Sequence, residues 1–114
     1  MRSKYHNRRV IVDGMKFDSI KEAKRWRELC LLYRAGEIGE VERQVEFVLI
    51  PTQRTRTPDG KTKTERAVKY LADFVYTDKN GRQVVEDVKG VRTKEYIIKR
   101  KLLLFLRGIA IKEV

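Results

Sequence analysis

The segment Val84-Val85-Glu86-Asp87-Val88-Lys89-Gly90 places two acids and a lysine among three valines. Read as a strand, it alternates: Val84, Glu86 and Val88 fall on one face, and Val85, Asp87 and Lys89 on the other. Asp87 and Lys89 then point the same way. Upstream, Leu71-Ala72-Asp73-Phe74-Val75 offers a single acid in an apolar run, and Asn80-Gly81 between the two segments is a turn signal. An antiparallel pair folded at that turn sets Asp73 and the Asp87 region at similar heights. Two carboxylates can hold a divalent cation such as Mg2+ and leave positions open for water and a phosphate oxygen. Such an ion activates its water and offsets charge developing on phosphorus. A neighbouring ammonium can stabilise the same charge. The chemistry this arrangement suits is phosphodiester hydrolysis.

The whole chain narrows the alternatives. Its 114 residues suit one domain with one modest core. Lys and Arg number 27 against 16 acids, a net charge of +11, which points to nucleic acid or an anionic surface as partner. No apolar run is long enough to span a bilayer and the N-terminus lacks a signal-peptide core, so a cytoplasmic protein with no membrane partner is expected. With Cys30 the sole cysteine and His6 the sole histidine, an internal disulfide, a cysteine zinc site and a Ser–His–Asp triad all lose their raw material.

Around the candidate chemistry, the elements follow from local pattern. Residues 1–9 read as a basic arm carrying Arg8 and Arg9. Val10 to Phe17 alternates about Asp13-Gly14, a type I′ hairpin signal. A helix follows, with Ser19 as N-cap, Glu22 completing a capping box and Gly36 as stop; Ala23, Trp26, Cys30 and Tyr33 share its apolar face with Leu29 beside them. The segment 41–50 is strand-like. Residues 52–66 form a basic connection, an exposed loop or protruding hairpin tip, with Arg54, Arg56, Lys61 and Lys63. Strands over 67–77 and 83–90 pair across Asn80-Gly81. Thr93 caps a second helix, apolar almost all round after Tyr96 and so expected to be buried, and 109–114 is a last short strand. The predicted fold class is α/β, a mixed central sheet flanked by helices in the order hairpin-α-β-β-β-α-β, as a single domain over 1–114.

This order and these motifs resemble the PD-(D/E)xK nuclease superfamily, and within it a group of small proteins of phages and prophages. The likeness rests on Phe17-Asp18-Ser19 with Lys21-Glu22-Ala23, on Ala72-Asp73-Phe74 with Tyr76, on Val85 to Gly90, and on Thr93, Tyr96, Lys99 and Lys101-Leu102. It implies a restriction-endonuclease-like core and a Mg2+-dependent endonuclease, with Mn2+ able to substitute. It further implies metal binding by Asp73, Asp87 and the Val88 carbonyl, Lys89 as the motif lysine, and Glu22 as the acid that some branches carry on the first helix. Ala72 stands where many members have proline. Glu86 beside Asp87 leaves a second register open; the spacing to Lys89 favours Asp87.

Bland explanations compete with each of these. Asp87 and Lys89 could be a surface ion pair, Glu22 a capping-box acid, Lys99 a snorkelling helix-edge lysine, and 52–66 a solvated charge run. Trp26 and Tyr33 fit a core better than a base-stacking role. The reading that joins the features is an endonuclease acting on DNA, directed by structure or junction rather than a long sequence. Arg54, Arg56, Lys61, Lys63, Lys99, Arg8 and Arg9 are the expected nucleic-acid contacts. The alternative is a non-catalytic basic module that binds DNA or RNA. A homodimer would let two sites cut two strands, although no residue pattern demands one.

Overall fold

A computed structural model describes residues 9–114; Arg8, one of the expected DNA contacts, lies outside them. The elements are β1 (Val10–Val12), β2 (Met15–Phe17), α1 (Ile20–Arg34), β3 (Glu42–Ile50), β4 (Gln53–Arg56), β5 (Thr62–Glu65), β6 (Val68–Thr77), β7 (Gln83–Asp87), α2 (Lys94–Arg107) and β8 (Lys112–Glu113). The main sheet has the order β3-β6-β7-β8. Its first two pairings are antiparallel and the last is parallel, so the fold is mixed α/β with two helices. No helix among the described residues is long and apolar enough to cross a membrane.

Local signals set most element ends. Asp13 and Gly14 both take positive φ, 51° and 77°, as a type I′ turn requires, and Val12 pairs with Met15 across it. The Ser19 hydroxyl accepts from the Glu22 N–H at 3.0 Å, and Thr93 accepts from Tyr96 N–H at 3.1 Å. Gly108 ends α2 in the left-handed region, donating its N–H to the Leu104 carbonyl at 2.9 Å.

The sheet packs two apolar clusters. One joins Phe47, Leu49, Tyr70, Ala72, Val75 and Val85 to Tyr96 and Leu103 of α2. The other joins Phe74 and Tyr76 to Leu29 of α1, with Trp26 stacked 6.0 Å from Phe74. Regular alternation would put Ala72 and Phe74 on the same face. Here the sheet changes helices between them, at Asp73. Directly across on β3, between the pairs Arg43–Phe74 and Val45–Ala72, Gln44 holds a φ of 53°.

Several expectations need correction. Tyr33 is not core: it is 50% exposed, and the buried residues of α1 are Glu22, Ala23 and Leu29. Cys30 is only half-buried. α2 is not a buried helix either. It packs through Tyr96 and Leu103, while Ile98, Leu104, Leu106 and above all Phe105, 85% exposed, face outward. One helix resting on one sheet face can bury only a stripe, whatever its composition. The connection over 52–66 takes the second of its two expected forms, an exposed hairpin of β4 paired with β5, so only the expected element order changes, by two added strands.

Candidate active site

The two acids of Glu86-Asp87 are both buried, and the sheet sends them to opposite layers. Glu86 faces α1. Arg25 grips it with both arms of its guanidinium, Nε to Oε1 at 2.8 Å and an Nη to Oε2 at 2.7 Å, and the Tyr76 hydroxyl also donates to Oε2. Burial pushes the Glu86 carboxyl up, but the hydrogen bonds from Arg25 and Tyr76 outweigh it and hold the carboxyl below its usual range. The acceptor capacity of Glu86 is largely consumed, and it does not line the cleft described next.

Asp87 faces the other way. Its Oδ1 lies 2.8 Å from the Lys89 ammonium and its Oδ2 accepts from the Tyr70 hydroxyl at 2.5 Å. The Lys89 ammonium also sits 3.7 Å above the Tyr96 ring, a cation–π contact that fixes where it points. Continuing the β6–β7 register one step past Phe74–Glu86 places Asp73 opposite Asp87. Asp73 Oδ2 accepts the Val88 N–H at 2.7 Å. Val114 on the β8 side takes the Asp87 carbonyl and the Lys89 N–H, so the Val88 backbone between them turns to the Asp73 side.

Asp73, Asp87, Val88, Lys89, Glu22 and Gln44 line a cleft of about 450 Å³. Burial raises the Asp73 carboxyl to about 7; Asp87 and Glu22 push it the same way, against the Val88 N–H and Lys89. Glu22 is raised too, by burial and by Asp18, against the opposing pull of Arg43. Its carboxylate accepts from Gln44 at 3.3 Å rather than turning back to Ser19, so it serves the cleft as well as the start of α1.

The structure therefore brings Asp73, Asp87, Lys89, Glu22 and Val88 to one place. Lys99 is not in the cleft lining: its ammonium pairs with Glu95 at 3.0 Å along α2, whereas Tyr96 reaches the site beneath Lys89. Arg9, Arg54, Arg56, Lys61 and Lys63 are exposed and lie away from the cleft lining, the last four on the β4–β5 ribbon or its turn. Sequence reasoning missed Gln44, whose partner Glu22 is on another element, and Lys21, whose ammonium reaches the Lys89 carbonyl at 2.9 Å. It also missed Tyr70. Lys21 stands in the Lys21-Glu22-Ala23 motif, but no local pattern gives it, Gln44 or Tyr70 a role, because each is defined by a contact distant in sequence.

Among the described residues, no three His, Cys, Asp or Glu side chains are already gathered as a metal cage. The donors present nevertheless fit a hard divalent ion: two carboxylates and a free-facing carbonyl, all oxygen, suit Mg2+, which keeps several of its waters. Burial is the main cause of the rise of Asp73, and the lesser push from Asp87 and Glu22 is one that a cation would relieve.

The chain belongs to the family described as "Protein of unknown function (DUF1064)", whose profile matches residues 2–107. No curated protein matches it, and no solved structure does.

Proposed function

We propose that this member of the family is a divalent-metal-dependent endonuclease acting on DNA, with a restriction-endonuclease-like core and the PD-(D/E)xK arrangement of residues. The observation that carries the reading is the convergence of Asp73, Asp87 and Lys89 in one cleft while the neighbouring Glu86 is locked away by Arg25. A surface ion pair would not need a second, half-buried acid opposite it.

Asp73, Asp87 and the Val88 carbonyl would hold the ion, and Glu22 lines the same cleft. When bound, Mg2+ or Mn2+ supplies an activated water and charge neutralisation at the phosphate. Tyr70 keeps Asp87 aimed by donating to Oδ2. Lys89, steered by Tyr96, presents an ammonium to the developing charge on the non-bridging phosphate oxygens. The net charge of +11 attracts the polyanion over a longer range.

The experiment is cleavage of labelled DNA, as linear and branched substrates, with Mg2+ and with Mn2+. Metal-dependent cleavage that Asp87→Asn abolishes is expected. Binding without cleavage in either metal would favour a non-catalytic nucleic-acid-binding module.

A further inference from the structure

The β4–β5 ribbon is an unusual thing for a small protein to keep. All eight of its strand residues are exposed and none is a large apolar residue. A lone two-stranded hairpin is marginal in water without a hydrophobic face to pack. The ribbon also stands off the body: β4 and β5 pack on each other and not substantially on any other helix or strand among the described residues.

Its charges are sorted by face. The register pairs Arg54 with Thr64 and Arg56 with Thr62, so these four side chains share one face. That face holds no acid, and neither guanidinium makes a hydrogen bond or ion pair among the described residues. The opposite face carries Gln53, Thr55, Lys63 and Glu65, and there Lys63 is spent on Glu65 at 3.1 Å. One face thus presents two cations without an acid, while the other holds a cation and an acid that neutralise each other.

We infer that the Arg54–Arg56–Thr62–Thr64 face of the ribbon enters a groove of B-form duplex DNA, so that the substrate is double-stranded where the ribbon touches it. This rests on the nucleic-acid part of the reading above. The major groove, about 12 Å wide, admits a two-stranded β-ribbon. The two arginines stand two residues apart on one strand, about 7 Å, the spacing of neighbouring phosphates along a backbone, and their planar forks suit phosphate oxygens or a guanine edge. Threonine hydroxyls contact either. A single strand has no groove to enter, and the deep, narrow major groove of an RNA duplex excludes side chains.

The test is a face swap at constant net charge: Gln53→Arg and Thr55→Arg combined with Arg54→Gln and Arg56→Thr. Binding to a 20-base-pair DNA duplex and to one of its single strands is read by fluorescence anisotropy in EDTA. Duplex affinity should fall at least tenfold and single-strand affinity less than threefold, with the melting temperature unchanged. A change of less than threefold on the duplex, or equal losses on both ligands, would overturn the inference. Wild-type protein that binds duplex with this face dependence but never cuts it would refute the nuclease reading and leave the ribbon assignment standing.

Discussion

Lys89 Nζ stands 2.8 Å from Asp87 Oδ1, while the Tyr70 hydroxyl holds the other oxygen of the same carboxylate. An ion pair and a poised electrostatic donor look alike in that geometry, but they fail differently. Lys89→Arg keeps the charge and changes the donor geometry. In single-turnover cleavage with saturating protein and Mg2+, Lys89→Arg should be slower by on the order of a hundredfold, with its melting temperature close to wild type. Near-normal rates would remove Lys89 from the chemistry.

Asp73 gives a prediction in pH. Its carboxyl is raised from 3.8 to about 7 in the fold, chiefly by burial. Between those values the folded chain holds more protons than the unfolded one, so stability falls as pH rises through that window. Metal-free Asp73→Asn should lose this dependence. It should melt higher than wild type at pH 8, show a smaller advantage at pH 5, and cut no DNA. Adding Mg2+ or Mn2+ should raise the wild-type melting temperature at pH 8 and leave Asp73→Asn unmoved. Equal metal stabilisation of both proteins would place the ion elsewhere.

Glu86→Gln should do the opposite of Asp87→Asn. Breaking one half of a buried pair costs about 3–5 kcal/mol, because Arg25 is left with a partner that no longer bears charge. Urea melts should show that loss, while cleavage per folded molecule stays within a few-fold of wild type. A stable but inactive Glu86→Gln protein would mean that Glu86, not Asp87, serves the site.

Gln44 carries a cost that the cleft explains. A non-glycine residue in the left-handed region is strained by about 1–2 kcal/mol. Gln44→Gly relieves that strain and deletes the side chain that meets Glu22. We expect thermal stability to be kept or raised and cleavage to drop at least tenfold. A clear loss of stability would make Gln44 a structural residue.

Much of this architecture is written locally. Asp13-Gly14, Ser19, Thr93 and Gly108 each dictate their own turn or cap, and the period-two pattern of 84–89 correctly separates Asp87 and Lys89 from Glu86. What escaped reading is non-local. Arg25 and Glu86 are 61 residues apart. The change of layer between Ala72 and Phe74 contradicts simple alternation, and nothing in Leu71-Ala72-Asp73-Phe74 announces it. The exposure of Phe105 depends on how wide a stripe of α2 the sheet can cover, which composition does not tell.

The bareness of the β4–β5 ribbon sets its place in the hierarchy of local unfolding. Its backbone hydrogen bonds have no apolar cover, in contrast to β6, whose Ala72 and Phe74 are fully enclosed. Its amides should therefore exchange with solvent deuterium long before those of β6, through openings that leave the rest of the fold untouched. Ordering such an element on a partner carries an entropic penalty, so a cross-strand link that stiffens the ribbon would tighten binding without adding a contact.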